Sequence, residues 1–130
     1  MPKTPLQRIL LVDDEADIRT VARLALEAVG GFEVHECASG FAAAAAIADH
    51  APQLVLMDVM MPGQDGMETL KALRATPGLP AVPVVFMTAK VQPQEVAMLR
   101  SLGAIDVIAK PFDPMTLAQT VRQIWERSKG

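Results

Sequence analysis

Five polar side chains stand directly after short apolar runs. Asp13 and Asp14 follow ILLV (9–12), Asp58 follows LVLM (54–57), Thr88 follows VPVVFM (82–87) and Lys110 follows DVIA (106–109). Three carboxylates brought together repel one another, and some of them would hold a proton unless a cation were present. An acidic, oxygen-rich pocket suits a hard divalent cation, Mg2+ (or Mn2+). A lysine and a hydroxyl beside it add a positive charge and a donor. Metal, lysine and hydroxyl together provide the charge neutralisation that a phosphoryl group needs. Asp58 stands apart from the Asp13-Asp14 pair and is the natural nucleophile. Its strand would hold it rigidly, and its apolar flanks would limit water near a phosphorylated form.

This chemistry requires the five residues to meet, so the elements between them matter. ILLV, LVLM and VPVVFM are short continuous apolar runs, as expected of strands buried on both faces. FEVHEC (32–37) alternates loosely and suits a more exposed strand, and DVIA is a fifth. Pro83 belongs at the start of its strand, because proline is poorly tolerated inside a sheet. Helical spacing links Ile18, Val21, Ala22, Ala25 and Val29, with Gly30-Gly31 as the stop. Ser39 is placed to cap a helix carrying Phe41, Ala44, Ala45 and Ala48 that ends before Pro52. Met67, Leu70, Leu73 and Arg74 mark a third helix, and Val96, Leu99 and Leu102 a fourth, closed by Gly103. Asp113-Pro114 reads as a cap with a first-turn proline, ahead of a last helix with Leu117, Val121, Ile124 and Trp125 on one face.

Five strand–helix units in strict alternation predict an α/β fold, a flavodoxin-like (βα)5 doubly wound parallel five-stranded sheet covered on both faces. The commonest strand order is 2-1-3-4-5, and function collects at the carboxyl ends of such strands. The expected division is an N-terminal arm over 1–7, loose over its first six residues, and one domain over 8–128.

Composition narrows the function. The chain has 130 residues, 51% hydrophobic and 21% charged, which supports one domain with a real core. A net charge of −3 gives no nucleic-acid surface. The longest apolar run, FAAAAAIA (41–48), is too short and Ala-rich to span a bilayer, and MPKTPLQR has no signal-peptide core. One cysteine, Cys37, excludes an internal disulfide and points to a reducing cytoplasm. Cys37 reads as a small buried hydrophobe. His35 and His50 lie far apart in sequence with no acids at metal spacing, and both read as surface residues.

Taken singly, an Asp at a strand end is most often a turn former or helix cap. Lys110 alone would be a solvated charge, and Thr88 alone a strand residue. The set is another matter. LLVDDE (10–15), LVLMDVMMPGQDG (54–66), VVFMTA (84–89) and GAIDVIAKPF (103–112) occur in this order with helices between them. Over nearly its whole length the chain resembles a response regulator receiver domain of two-component signalling, of the chemotaxis-type single-domain kind.

The resemblance implies that Asp58 accepts a phosphoryl group from a phosphohistidine on a histidine kinase or histidine phosphotransfer protein. It implies that Asp14 and Asp58 ligate Mg2+ with the backbone carbonyl of Met60, while Asp13 acts through a bound water. Thr88 would hydrogen-bond one phosphoryl oxygen and Lys110 would pair with another. The Lys110-Pro111 bond is typically cis in this family, and Pro62 and Gly66 would form the turn after the acceptor. The protein would be a phosphoacceptor switch rather than an enzyme. Its target would be a protein docking on the fourth helix, fifth strand and last helix, with no direct contact to nucleic acid or membrane. The state expected is a monomer or a weak, phosphorylation-promoted dimer. One position departs from the pattern. Three residues before Lys110 the family commonly carries Tyr or Phe, and here it is Val107.

Other classes fit less well. Hydrolases resembling haloacid dehalogenases need a second acid two residues after the nucleophile, where this chain has Met60. A nucleotide or flavin carrier needs a phosphate loop after the first strand, and DDEADIR is acidic. A calcium loop fails because MMPGQ breaks the alternation of oxygen ligands.

Overall fold

The structure is a computed structural model that describes residues 4–128. Strands β1 (Arg8–Val12), β2 (Glu33–Cys37), β3 (Leu54–Asp58), β4 (Val84–Thr88) and β5 (Asp106–Ala109) form one sheet in the order β2-β1-β3-β4-β5. All four pairings are parallel, with Leu10 opposite both His35 and Val55, Met57 opposite Phe86, and Thr88 opposite Ala109. The predicted fold and strand order are both observed.

Parallel neighbours need crossovers, and each crossover is a helix. The crossovers carry α1 (Ala16–Leu24), α2 (Ala43–His50), α3 (Gly66–Arg74) and α4 (Pro93–Ser101), and α5 (Leu117–Arg127) follows the last strand. Successive strand residues point to opposite faces, so β1 feeds two cores. Ile9 and Leu11 pack with Ala22, Leu26, Val121 and Trp125 under α1 and α5. Leu10 and Val12 pack with Ile47, Leu70, Leu73 and Leu99 under α2, α3 and α4. Every residue of β3 and β4 is buried, which is why both read as unbroken apolar runs. Each fully buried aliphatic side chain contributes about 1.5–3 kcal/mol, so the two central strands carry a large share of the stability. β2 and β5 are edges and are only partly covered.

Three helix faces differ from the sequence expectation. In α1 the buried residues are Ala22, then Ala25 and Leu26, while Val21 and Val29 are 42% and 53% exposed. Residues Ala25–Val29 form a widened π turn. Its longer repeat puts Leu26, not Val29, against the sheet. In α2 the buried residues are Ala43 and Ile47, and Phe41 is 69% exposed. Gly40–Ala42 is a 3-10 turn rather than a first α turn, which shifts the phase. Five consecutive alanines carry too little periodicity to reveal that shift. Ser39 stands at the N-cap position of this turn but makes no side-chain capping bond. In α4, Leu99 is buried, while Leu102 falls just past the helix end and is 48% exposed.

Other expectations hold. Pro83 lies just before β4 and its carbonyl accepts the Val55 N–H at 2.9 Å. Gly31 takes φ +71 after α1. Residues 4–6, read as part of a loose arm, are instead tied down: Leu6 is buried, the Trp125 Nε1–H donates to the Thr4 carbonyl at 2.8 Å, and the Gln53 amide donates to that of Pro5 at 3.0 Å. Residues 1–3 of the expected arm lie outside the described residues. His35 and His50, far apart in sequence, meet in space, with His50 exposed as read and His35 half-buried. Their rings stack with centroids 3.8 Å apart, and His35 pairs with Glu33 at 2.9 Å. Strand β2 and the end of α2 bring them together across the edge of the sheet, a contact that spacing along the chain cannot reveal.

Candidate functional site

The carboxyl ends of β1, β3, β4 and β5 open on one side of the sheet. Asp13 follows β1, Asp58 closes β3, Thr88 closes β4 and Lys110 follows β5. The five sequence-derived residues are brought together there. Asp13, Asp58 and Thr88 are all but fully buried. Asp14 is half-buried, and carboxylate oxygens of Asp13, Asp14, Glu15 and Asp58 all lie within 4.8 Å of one another.

Lys110 binds this cluster together. Its Nζ lies 3.2 Å from Asp13 Oδ2, 3.3 Å from Asp58 Oδ2 and 3.7 Å from Glu15 Oε1. The Lys110 backbone N–H donates to the Thr88 carbonyl at 2.9 Å, which fixes the lysine to the neighbouring strand. The Lys110-Pro111 bond is cis. The second oxygen of each buried acid is also engaged. Asp13 Oδ1 accepts the Glu15 N–H at 2.9 Å, and Asp58 Oδ1 accepts the Met60 N–H at 3.3 Å. Thr88 Oγ1 accepts the Lys90 N–H at 3.1 Å. The Met60 side chain is 67% exposed at the rim.

The electrostatics follow from burial and crowding. Burial pushes the Asp58 carboxyl above its ordinary value, and Asp13 pushes the same way, while Lys110 and the Met60 N–H pull it back. For Lys110, burial would lower the ammonium, but Asp13 and Asp58 outweigh it and hold it above its ordinary value. Burial likewise pushes the Cys37 thiol up to about 11, as befits a half-buried, unreactive cysteine at the end of β2.

Close packing around the acceptor comes from Gly66. Its N–H donates to the Val59 carbonyl at 2.8 Å. A Cβ there would stand 2.5 Å from the Asp58 carbonyl oxygen and 2.9 Å from Val59 Cα. Only glycine lets α3 start so near the acceptor strand. The second acid of the stretch after Asp58 is Asp65, which closes a capping box with Glu68: each side chain accepts the other's N–H, at 2.8 and 3.0 Å. The D-x-x-E spacing was the available signal for it.

Two contributors were not found from sequence. Glu15 joins the acidic set and receives Lys110. Arg19 donates to the Asp13 carbonyl at 2.7 Å and pairs with Glu36 on β2 at 3.1 Å, bracing the turn that carries the acid pair. Nothing in the spacing of Arg19 and Glu36 marks that link. Val107, where an aromatic was expected, is half-buried against the α2–α4 core and sits opposite Phe86 in the sheet.

The fold is a five-stranded parallel α/β sheet, and its site is a carboxylate cluster, a lysine and a threonine at one strand edge. That combination defines a class of small signalling domains that handle phosphoryl groups. The match to the family model for the response regulator receiver domain runs over residues 9–122, and the chain belongs to that family. It is 36% identical over 120 residues to the phosphate regulon transcriptional regulatory protein PhoB of Pseudomonas aeruginosa, covering 92% of this chain and 52% of that one. It is 39% identical over 119 residues to the DNA-binding response regulator MtrA of Mycobacterium tuberculosis, covering 92% of this chain and 50% of the relative. The chain thus spans about half the length of these curated relatives. Among solved structures, the chemotaxis protein CheY4 of Vibrio cholerae superposes with a TM-score of 0.81 at 29% identity, covering 92% of this chain and 98% of that one. The chain is a receiver domain of two-component signalling, and in this family an acidic pocket binds Mg2+.

Proposed function

We propose that the domain is a phosphoacceptor switch in which Asp58 takes a phosphoryl group from a phosphohistidine. The observation that carries this reading is the Lys110 ammonium held at 3.2 Å from Asp13 and 3.3 Å from Asp58 inside a four-carboxylate cluster. An Asp58 carboxylate oxygen attacks phosphorus, the P–N bond breaks, and the imidazole nitrogen leaves with the electron pair. Lys110 already touches Asp58 Oδ2, so oxygens carried on that residue fall within its reach. Thr88 Oγ1 accepts from the Lys90 N–H, which leaves its own hydrogen to donate to a phosphoryl oxygen.

An all-oxygen acidic donor set fits a hard divalent cation. Asp14, Asp58 and the Met60 carbonyl are the residues that would hold Mg2+, with Asp13 acting through a water. When bound, Mg2+ supplies charge neutralisation for the phosphoryl oxygens. Asp58 is the residue modified, so the domain turns over no diffusible substrate and is not an enzyme in that sense.

The phosphoryl donor is a histidine kinase or histidine phosphotransfer protein. The target is a protein that docks on α4, β5 and α5. There Arg100 and Arg127 flank Asp106 at 3.8 and 3.7 Å around a cavity of about 370 Å3. The setting is the cytoplasm, and no helix among the described residues is long and apolar enough to cross a membrane. The test is incubation with acetyl phosphate and Mg2+. A mass gain of one phosphoryl group, absent in Asp58→Asn and without multiple turnover, is expected. Equal incorporation in Asp58→Asn overturns the assignment.

A further inference from the structure

A cavity of about 330 Å3 opens beside the acceptor, between the turn after β3 and α4. Its walls include Met60, Met67 and Met98, the end of β4 at Thr88, and two charged residues, Lys90 and Glu95. Glu95 lies in the first turn of α4, and its Oε2 is buried without a hydrogen-bond partner. The residue as a whole is half-buried, but that one enclosed oxygen is left as an acceptor with no donor facing it. The ordinary role of an acid at this helix position is a capping box, but Gln92 at the N-cap makes no side-chain capping bond. Among the residues lining this cavity Lys90 is the cation, and it has no ion-pair partner among the described residues.

Lys90 also has a fixed relation to the acceptor. Its backbone N–H donates to Thr88 Oγ1, and β4 at that point lies directly beside Asp58, with Asp58 opposite Met87. From there the long, flexible lysine stem has two destinations. One is the mouth of the acidic site, where an incoming phosphoryl donor brings negative charge. The other is the methionine-lined cavity, whose wall also carries Met98 and Glu95.

We infer that Glu95 is a positioning residue for Lys90: its half-buried carboxylate, with one oxygen unpartnered, draws the Lys90 ammonium toward the cavity and away from Asp58, restraining how readily the site attracts an anionic phosphoryl donor. The inference rests on the phosphoacceptor reading above. It ties α4, part of the expected output face, to the electrostatics of the acceptor through one side chain.

The test is a double-mutant cycle on the phosphorylation rate with acetyl phosphate and Mg2+ at low ionic strength. Glu95→Gln frees Lys90 and should raise the rate about two- to five-fold, the range of a partly exposed ion pair. In a Lys90→Met background the same substitution should raise it by less than half that factor. An equal factor in both backgrounds means that only the loss of one negative charge is felt, and overturns the inference, as does no change in either. A second readout needs no phosphorylation. Nuclear Overhauser contacts from the Lys90 ε-methylene to the Met98 methyl should be present in the wild type and lost in Glu95→Gln. Their absence in the wild type overturns the inference. Failure of the wild type to take up phosphate would instead refute the acceptor reading, and these contacts would still decide the role of Glu95.

Discussion

Lys110→Met removes the ammonium that holds two buried carboxylates together while keeping most of the stem's volume. At 3.2 and 3.3 Å the two contacts are each worth roughly 5 kcal/mol of gross attraction at an effective dielectric of about 20. Burying the three charges offsets much of this, and breaking such a buried group by deleting one partner costs about 3–5 kcal/mol net. The loss has a ceiling. Protonating one of the two buried carboxylates at pH 7 from its ordinary value costs about 4 kcal/mol, after which those two no longer repel each other. A destabilisation of about 3 kcal/mol in metal-free protein is therefore expected. For a chain of this size it corresponds to a fall in Tm of about 10 °C. The site left behind is more negative, so Mg2+ should bind Lys110→Met more tightly than wild type and recover more of its stability. Urea and thermal unfolding followed by Trp125 fluorescence, with chelator and then with millimolar Mg2+, measure both effects. A metal-free variant within about 0.5 kcal/mol of wild type, or equal stabilisation of both proteins by Mg2+, refutes the reasoning.

Asp58 has a raised folded value, so its proton is held more firmly folded than unfolded. Its ionised form therefore costs the metal-free fold stability above that folded value, and the cost disappears as pH falls below the ordinary carboxylate value. Metal-free Asp58→Asn should be more stable than wild type at neutral pH and converge with it in acid; a gap that widens on acidification contradicts this. Gly66→Ala forces a Cβ to within 2.5 Å of the Asp58 carbonyl oxygen, and should cost about 1–3 kcal/mol in urea unfolding and slow phosphorylation through the displaced acceptor. Met60 is apolar and exposed at the rim, so Met60→Asn should shorten the lifetime of the phosphorylated state by admitting a water-holding contact; a longer lifetime would show that Met60 shields nothing. Thr88→Ala should still accept phosphate but lose most of the beryllofluoride-induced NMR shifts in α4 and β5, whereas shifts as large as wild type would break the proposed coupling.

The fold was legible because its signals are local and unmixed. ILLV, LVLM and VVFM are buried on both faces, so burial appears directly as unbroken apolar runs, and each run ends at a polar residue that begins the site. Alternation with helices then permits few topologies, since parallel strands require right-handed crossovers. That is why Asp13, Asp14, Asp58, Thr88 and Lys110 could be named, and the strand order anticipated, before any coordinates. Helix faces were less legible where periodicity was weak. The alanine run of α2 and the π turn ending α1 left Ile47 and Leu26, not Phe41 and Val29, in the core. Only the tertiary structure decided how the site is wired. Arg19 bracing the Asp13 carbonyl, Glu15 joining Lys110, Gly66 touching the acceptor backbone, His35 stacking on His50 and Glu95 facing the same cavity as Lys90 all depend on side chains meeting across elements. Such meetings leave no spacing in the chain, because the distance between two residues in space is set by the sheet and not by the number of residues between them.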